Sequence, residues 1–412
     1  MPHMKIRAAD ILLFLLLTEI FYFYNTYVNI GGFGVGYQYI GCILVVVVGV
    51  WLFLAVPDLH SLYSLTKTGI ILALPYVTAM LCSWAVWIFD FVPVRQMISG
   101  FFEPAYMILC IVCAVFLVYM LQDKAVEYSF WAMTAAFILL LIPKVRLFGA
   151  AGFLRRLMEY VKSMGRVGWG VSLEDTSFSY TYVFYGLYFL FRDFHRKGEP
   201  FRRRLVRVTI IIFALLEVFK RSSLLALAAG GAVAAAYTFM PHNYRKYFLN
   251  FIVAAFVLSA FFYIPIVRYG IFRKIVEILH INTSSRTRIY AYYSRYYTFS
   301  PFYGGKGLGW IARLMAMDER FNVGLESVNV HCDYIRSYIE LGFWGYLCWM
   351  LLVFPLAVKR TVKGKNLKND AIILGVCTAM ALLRVTENIS QLYSAILGMS
   401  IIIIQCSREK TV

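Results

Sequence analysis

Three features of the 412-residue chain predict an all-α polytopic membrane protein. Hydrophobic residues make up 61% of it and charged residues 15%, with a mean hydropathy of +0.70. Soluble domains are typically about 45–50% apolar and about 25% charged, so this excess cannot be hidden in a water-soluble core. The apolar residues gather in about twelve runs, most of them close to the ~20 residues that a helix needs to cross a bilayer. Lys and Arg divide between the connecting loops as a multi-span topology requires. The same composition excludes a disordered or collagen-like chain.

In chain order the expected spans are 10–30, 37–56, 68–89, 103–121, 126–142, 177–191, 205–219, 223–240, 247–265, 337–358, 370–384 and 388–405. The first follows Lys5 and Arg7. No small-residue cleavage site succeeds it, so it reads as a membrane helix rather than a removed signal peptide. The sixth, seventh and eleventh are short, and their ends are expected to extend into flanking polar residues. Residues 1–265 thus carry spans one to nine and a long loop at 143–176. A larger loop occupies 266–336, before the tenth span, and 337–412 carry spans ten to twelve.

The net charge is +18, from 40 Lys and Arg against 22 Asp and Glu. So basic a chain raises nucleic acid as a partner, yet its charge distribution has a topological explanation. With both termini cytoplasmic, the inner segments, including Arg207 at the head of the seventh span, hold 20 basic residues. The outer segments also hold 20, but 16 of these lie in the loops 143–176 and 266–336. Long loops escape the positive-inside rule, and without them the division is 20 against 4. Nucleic acid is therefore not needed to account for the charge. The two long outer loops carry eight acidic residues, Glu159, Glu174, Asp175, Glu277, Asp318, Glu319, Glu326 and Asp333. Their excess of cations suits binding of a polyanion or pyrophosphate, although long loops also translocate regardless of charge.

The stretch 281–310 reads INTSSRTRIYAYYSRYYTFSPFYGGKGLGW. Ser284, Ser285, Arg286 and Arg288 form a small polar turn with two guanidinium groups, planar forks that match phosphate oxygens. Tyr290, Tyr292, Tyr293, Tyr296 and Tyr297 supply faces for stacking on sugars or for an interfacial aromatic belt. Gly304, Gly305, Gly307 and Gly309 are expected to make a sharp turn, because they do not fit the phosphate-loop pattern.

Read as a helix, residues 330–346 place His331, Ile335, Tyr338, Gly342 and Gly345 on one face. Asp333, Arg336 and Glu340 form an adjoining stripe. An imidazole at the outer mouth of a membrane helix can accept a proton near neutral pH, or it can simply hydrogen-bond at the helix start. Gly342 and Gly345 would admit a close neighbouring helix. Two further charged turns open on the same side. They are Lys220, Arg221, Ser222 and Ser223, with Glu217 one turn earlier, and Arg384, Glu387 and Asn388.

Seven of the eight cysteines, Cys42, Cys82, Cys110, Cys113, Cys348, Cys377 and Cys406, lie in or at the end of apolar runs, and Cys332 lies in a polar segment. Their spacing does not suggest a zinc site.

Together these motifs resemble the O-antigen polymerase and O-antigen ligase superfamily of bacterial envelope glycosyltransferases. Arg286 in SSRTRIY resembles that family's arginine motif. Gly305, Gly307 and Gly309 resemble its GxGxG turn, and His331, Gly342 and Gly345 resemble its histidine motif. Arg221 in KRSS resembles a Ser-Arg motif at a periplasmic helix end. Cys332 stands where the family has Asn, Ser or Gln, and Tyr290 where it has Trp. The motif resemblance covers roughly residues 281–346, and the topology agrees along the chain.

The resemblance implies a GT-C-like bundle of about twelve spans in the bacterial inner membrane, with the large loop and the active site in the periplasm. It implies a glycan donor linked to undecaprenyl pyrophosphate. Arg221, Arg286 and Arg288 would clamp the pyrophosphate, with Arg336, Glu340 and Tyr292 also contacting substrate. His331, oriented by Asp333 or Glu340, would be the base of an inverting transfer that needs no metal or other cofactor. A chain-length regulator and other polysaccharide assembly proteins are implied partners. The polymerase, joining repeat units, is favoured over the ligase, which transfers glycan to lipid A-core. A non-enzymatic flippase fits less well, because the charges gather at one outer edge rather than at the midplane.

Overall fold

The structure is a computed structural model that describes residues 8–25, 37–90, 92–163, 170–173, 177–194, 200–280, 286–317, 330–364 and 366–408. Ser284, Ser285, Glu174, Asp175, Asp318, Glu319, Glu326, Lys5, Arg7 and the end of the first expected span, 26–30, lie outside the described residues. Among the described residues the elements are helices and turns, without a strand. The helices are α1 (Ala8–Tyr24), α2 (Tyr37–Ala55), α3 (Leu59–Phe89), α4 (Val94–Leu121), α5 (Ala125–Lys162), α6 (Phe178–Phe194), α7 (Phe201–Val218) and α8 (Arg221–Phe239). They continue with α9 (His242–Arg268), α10 (Ile271–Ile278), α11 (Arg286–Tyr293), α12 (Trp310–Met317), α13 (Asp333–Leu351), α14 (Ala357–Thr361), α15 (Leu367–Thr386) and α16 (Tyr393–Ser407).

Each expected span coincides with a helix: α1 to α9 in order, then α13 continued by α14, α15 and α16. The three short spans lengthen into their polar flanks, at α6, α7 and α15. Among the described residues, six stretches are long and apolar enough to cross a membrane: Leu59–Phe89, Met97–Lys162, Arg221–Phe239, His242–Arg268, Asp333–Thr361 and Leu367–Thr386. This is consistent with a membrane-embedded helical protein. Exposed apolar stripes agree, such as Val47, Trp51 and Leu54 on α2 or Leu81, Trp84 and Ile88 on α3. At such spacing each row follows one helix face and would suit acyl chains rather than water.

Small residues let α8 and α15 cross closely. Ala226, Gly230 and Ala234 line α8, and a Cβ on Gly230 would fall 2.6 Å from the carbonyl oxygen of Gly375 on α15. The two backbones therefore meet directly, as helices do where hydrophobic driving force is weak and contact must come from packing. Pro355 sits in a π-turn, Leu352–Leu356, that joins α13 to α14, a usual cause of a kink.

The two long loops are more helical than expected. Helix continues from 143 to Lys162, turned at Gly149 (φ 68°, ψ 157°), because Phe153, Leu157 and Tyr160 repeat at i, i+4 and i+7 and are buried. The loop 266–336 contains α10, α11 and α12 and the start of α13. Residues 330–346 are not one helix. His331 precedes α13 in the left-handed conformation (φ 46°), and Gly342 interrupts it (φ 74°, ψ −177°).

That interruption serves the glycine turn. Tyr303 accepts from Phe343 N at 2.8 Å, and Glu340 O accepts from Gly307 N at 2.8 Å. A Cβ on Gly342 would lie 2.4 Å from the carbonyl carbon of Gly304, and one on Gly305 would lie 2.5 Å from Gly342 N. Gly342 thus admits a loop, not a neighbouring helix. Gly345 does admit one: its Cβ position lies 3.2 Å from Cys82 Sγ on α3.

Candidate active site

Polar contacts gather at opposite ends of the bundle. At one end Arg207 pairs with Glu127 at 2.9 Å, and Gln405 accepts from Val126 N. At the other end meet the start of α13, the end of α15, the 3-10 turn Ile389–Gln391, the start of α8 and the start of α11.

The central group there is Glu387, the residue that closes α15. Its backbone is extended (φ −145°, ψ 169°), which releases the side chain from the helix. The carboxylate accepts from Arg286 Nη2 at 3.1 Å and from Ser222 Oγ at 3.1 Å, and its other oxygen lies 3.5 Å from His331 Nδ1. Side-chain exposure is 13% for Glu387, 26% for Arg286 and 30% for His331. The group is thus screened yet open to a ligand. Burial pushes the Glu387 carboxyl up, but the His331 hydrogen bond and the charges of Arg286 and Lys220 outweigh it and hold the carboxyl below its ordinary value.

Local backbone fixes each member. Cys332 N donates to Asn388 Oδ1 at 3.0 Å, and Ser390 N donates to Asp333 Oδ2 at 2.9 Å. These two bonds tie the turn after Glu387 to the residues after His331. Tyr290 Oη donates to the His331 carbonyl, joining α11 to the same segment. Lys220, the residue before α8, holds its ammonium 5.1 Å from the ring centroid of Tyr180 on α6.

The expected site residues separate into two groups. Arg286 and His331 come together at Glu387, and Arg221 opens α8 beside Ser222. Arg288 is exposed on α11, about 200° around the helix from Arg286, so the two guanidinium groups leave from different sides. Tyr292 is half-buried and accepts from Tyr296 Oη at 3.1 Å. Arg336 and Glu340 lie in a buried ion cluster. Arg336 donates to both oxygens of Glu103, at 3.2 and 2.9 Å, and sits 3.3 Å from Glu340. Glu340 also accepts from Ile311 N, and Gln391 Nε2 donates to Glu103 at 2.9 Å. A cavity of about 50 Å³ adjoins this cluster.

The orienting partner of His331 differs from the expected one. Asp333 faces Arg384 and Ser390, and Glu340 faces Arg336; the carboxylate at the imidazole is Glu387. Glu103 was not singled out by motif, although a carboxylate at the mouth of an apolar span is a recognisable signal. Among the described residues, no three His, Cys, Asp or Glu side chains group as a metal site would. No protein-family model matches the chain, and no curated protein matches it.

Proposed function

We propose that the protein is a polysaccharide polymerase of the O-antigen type in the bacterial inner membrane, acting on undecaprenyl-pyrophosphate-linked oligosaccharide at the periplasmic face. The observation that carries this reading is the meeting at Glu387 of three segments far apart in the chain, around Ser222, Arg286 and His331. The reading takes all twelve apolar helices as spans. Contacts between helix ends support that alternation, because the ends of α15, α13, α8 and α11 that meet are those expected outside.

In this mechanism Glu387 holds the proton of His331 on Nδ1, leaving the Nε2 lone pair as base. An acceptor hydroxyl gives its proton to Nε2 while its oxygen attacks the anomeric carbon. The bond from that carbon to the pyrophosphate oxygen breaks, and the configuration inverts. Arg286 retains N–H donors beyond the one on Glu387 and, with Arg221 and Lys220, stabilises charge on the departing pyrophosphate. Arginines thus take the part that a divalent metal plays in other glycosyl transfers.

The test is a reaction of purified protein in lipid vesicles with lipid-linked repeat units alone, in the presence of EDTA. Lengthening of the glycan is the expected result. Transfer that occurs once lipid A-core is added, and not before, would make the protein a ligase. Full activity of Arg286→Ala or His331→Ala would refute the site.

A further inference from the structure

Helix α10 is too short to cross a membrane, yet among the described helices it is the most sharply sectored. Its eight residues, IFRKIVEI, span about 12 Å at the usual helical rise. Ile271, Ile275, Ile278 and the following Leu279 are 42–75% exposed. At 100° per residue they fall within an arc of about 100°. Phe272 and Val276 fall beside that arc and face the protein. Val276 is buried, and Phe272 packs on Tyr263 of α9 at 6.1 Å and on Tyr290 of α11 at 5.6 Å. Arg273, Lys274 and Glu277 fill the remaining sector, where Arg273 and Glu277 pair at 2.7 Å. One helix therefore presents three faces, to protein, to something apolar and to water.

We propose that α10 is an in-plane helix of the outer leaflet whose isoleucine row lies among phospholipid acyl chains. Continuity with α9 identifies the occupant. The chain leaves α9 through Tyr269 and Gly270, the latter left-handed (φ 74°), and turns directly into α10. The outer half of α9 already exposes Leu258 and Phe262, with Tyr269 at its end, so the row on α10 extends an apolar surface that reaches the membrane edge. Lys274, next to the apolar arc, can lay its stem along the lipid and keep its ammonium in the headgroups. An amphipathic helix of this design lies at the boundary of headgroups and acyl chains.

The placement has a consequence for the site. Tyr290, against which Phe272 packs, lies one turn after Arg286 on α11. Seating α10 in the leaflet sets α11, and with it Arg286, close to headgroup level. That is the level of any phosphate carried on a membrane lipid. The inference rests on the proposed orientation of the spans but not on sugar-transfer chemistry, so it stands or falls separately from the polymerase activity.

Bimane attached at Ile275→Cys or Ile278→Cys, in full-length protein whose exposed Cys348 is serine, provides the test in phosphatidylethanolamine–phosphatidylglycerol vesicles. Phospholipids brominated in the upper acyl chain should quench these labels roughly threefold or more above a label at Arg273→Cys, on the opposite side of the helix. Aqueous iodide should show the reverse order. Iodide quenching of all three positions without lipid quenching would overturn the proposal. So would shielding of positions 275 and 278 from both quenchers, which would mean that a protein surface covers the row.

Discussion

Replacing Glu387 by glutamine is the most direct perturbation of the outer cluster, because it changes one charge and almost no volume. In the native site one carboxylate faces Arg286 at 3.1 Å, Ser222 at 3.1 Å and His331 at 3.5 Å. At an effective dielectric of ~20, the Arg286 pair alone has a gross Coulomb attraction of about 5 kcal/mol. Most of this is offset by desolvation. Removing one partner of a well-buried pair typically costs about 3–5 kcal/mol. Both side chains here retain some exposure, 26% and 13%, so a loss of about 2–3 kcal/mol is appropriate.

A glutamine carbonyl can still accept from one donor, but its NH₂ then points at another, and His331 loses the acceptor that selects its Nδ1–H form. If the whole loss is felt in the transition state, glycan elongation by Glu387→Gln should fall about 30–150-fold. Glu387→Asp should fall less. The assay is initial-rate elongation of lipid-linked repeat units in vesicles, at saturating donor, with thermal unfolding followed in parallel. A Glu387→Gln protein that elongates within about twofold of the native rate would refute the role of this carboxylate in holding the base.

Three further outcomes follow from the same geometry. Because the Glu387 carboxyl lies below its ordinary value in the fold, its stabilisation is complete above the unfolded value near ~4.3 and is lost as pH falls through the lowered folded value. Thermal unfolding of Glu387→Gln at pH ~3 to 6 should therefore lack part of the acid destabilisation of the native protein. Arg336→Met should destabilise the fold by about 3–5 kcal/mol, because Glu103 and Glu340 would be left facing each other without their cation. Arg336→Lys should recover less than half of that loss, since one ammonium cannot replace two parallel bonds; denaturation of the detergent-solubilised protein measures both. Gly342→Ala and Gly305→Ala should each prevent accumulation of folded protein, as their Cβ atoms would meet backbone at 2.4 and 2.5 Å. Gly304→Ala, with nothing within 4 Å, should be recovered at native yield by fluorescence-detected size exclusion.

The parts of the fold legible in the sequence are those written in local composition. Each apolar run became a helix, because a run of that length and hydropathy has few other ways to satisfy its backbone in a membrane. Phe153, Leu157 and Tyr160 also carried a helical period, yet Lys144, Arg146, Arg155 and Arg156 around them make the segment look like a loop when only charge is counted. His331 and Arg286 stood out because charged or titratable groups at membrane edges are few. What could not be read was pairing. Glu387 is one of 22 acidic residues, and its role depends on three segments that approach it only in the folded bundle. The left-handed backbone of His331 was equally hidden, since even histidine, though enriched there, adopts it only in a minority of cases. Arg336 shows the converse: its i, i+4 spacing to Glu340 was legible, but not the second carboxylate, Glu103, that closes its guanidinium off.

The position of a carboxylate inside a proposed pyrophosphate clamp needs a physical reason. Arg286 and Lys220 supply the positive charges that act on Glu387, and Arg221 opens α8 next to Lys220. Without Glu387 the cations would repel one another at close range, and the imidazole beside them would lose the acceptor that fixes its tautomer. With Glu387 they are held in place before substrate arrives, and little reorganisation remains for the reaction step. The same reasoning assigns the buried cations elsewhere to architecture. Arg336 is matched by Glu103 and Glu340, while Arg207 shares Glu127 with Arg192, and side-chain exposures of 9% for Arg336 and 1% for Arg207 keep both from a ligand. The outer cluster, by contrast, leaves Arg286 and His331 26% and 30% exposed beside a carboxylate, and on that ground the catalytic proposal rests there.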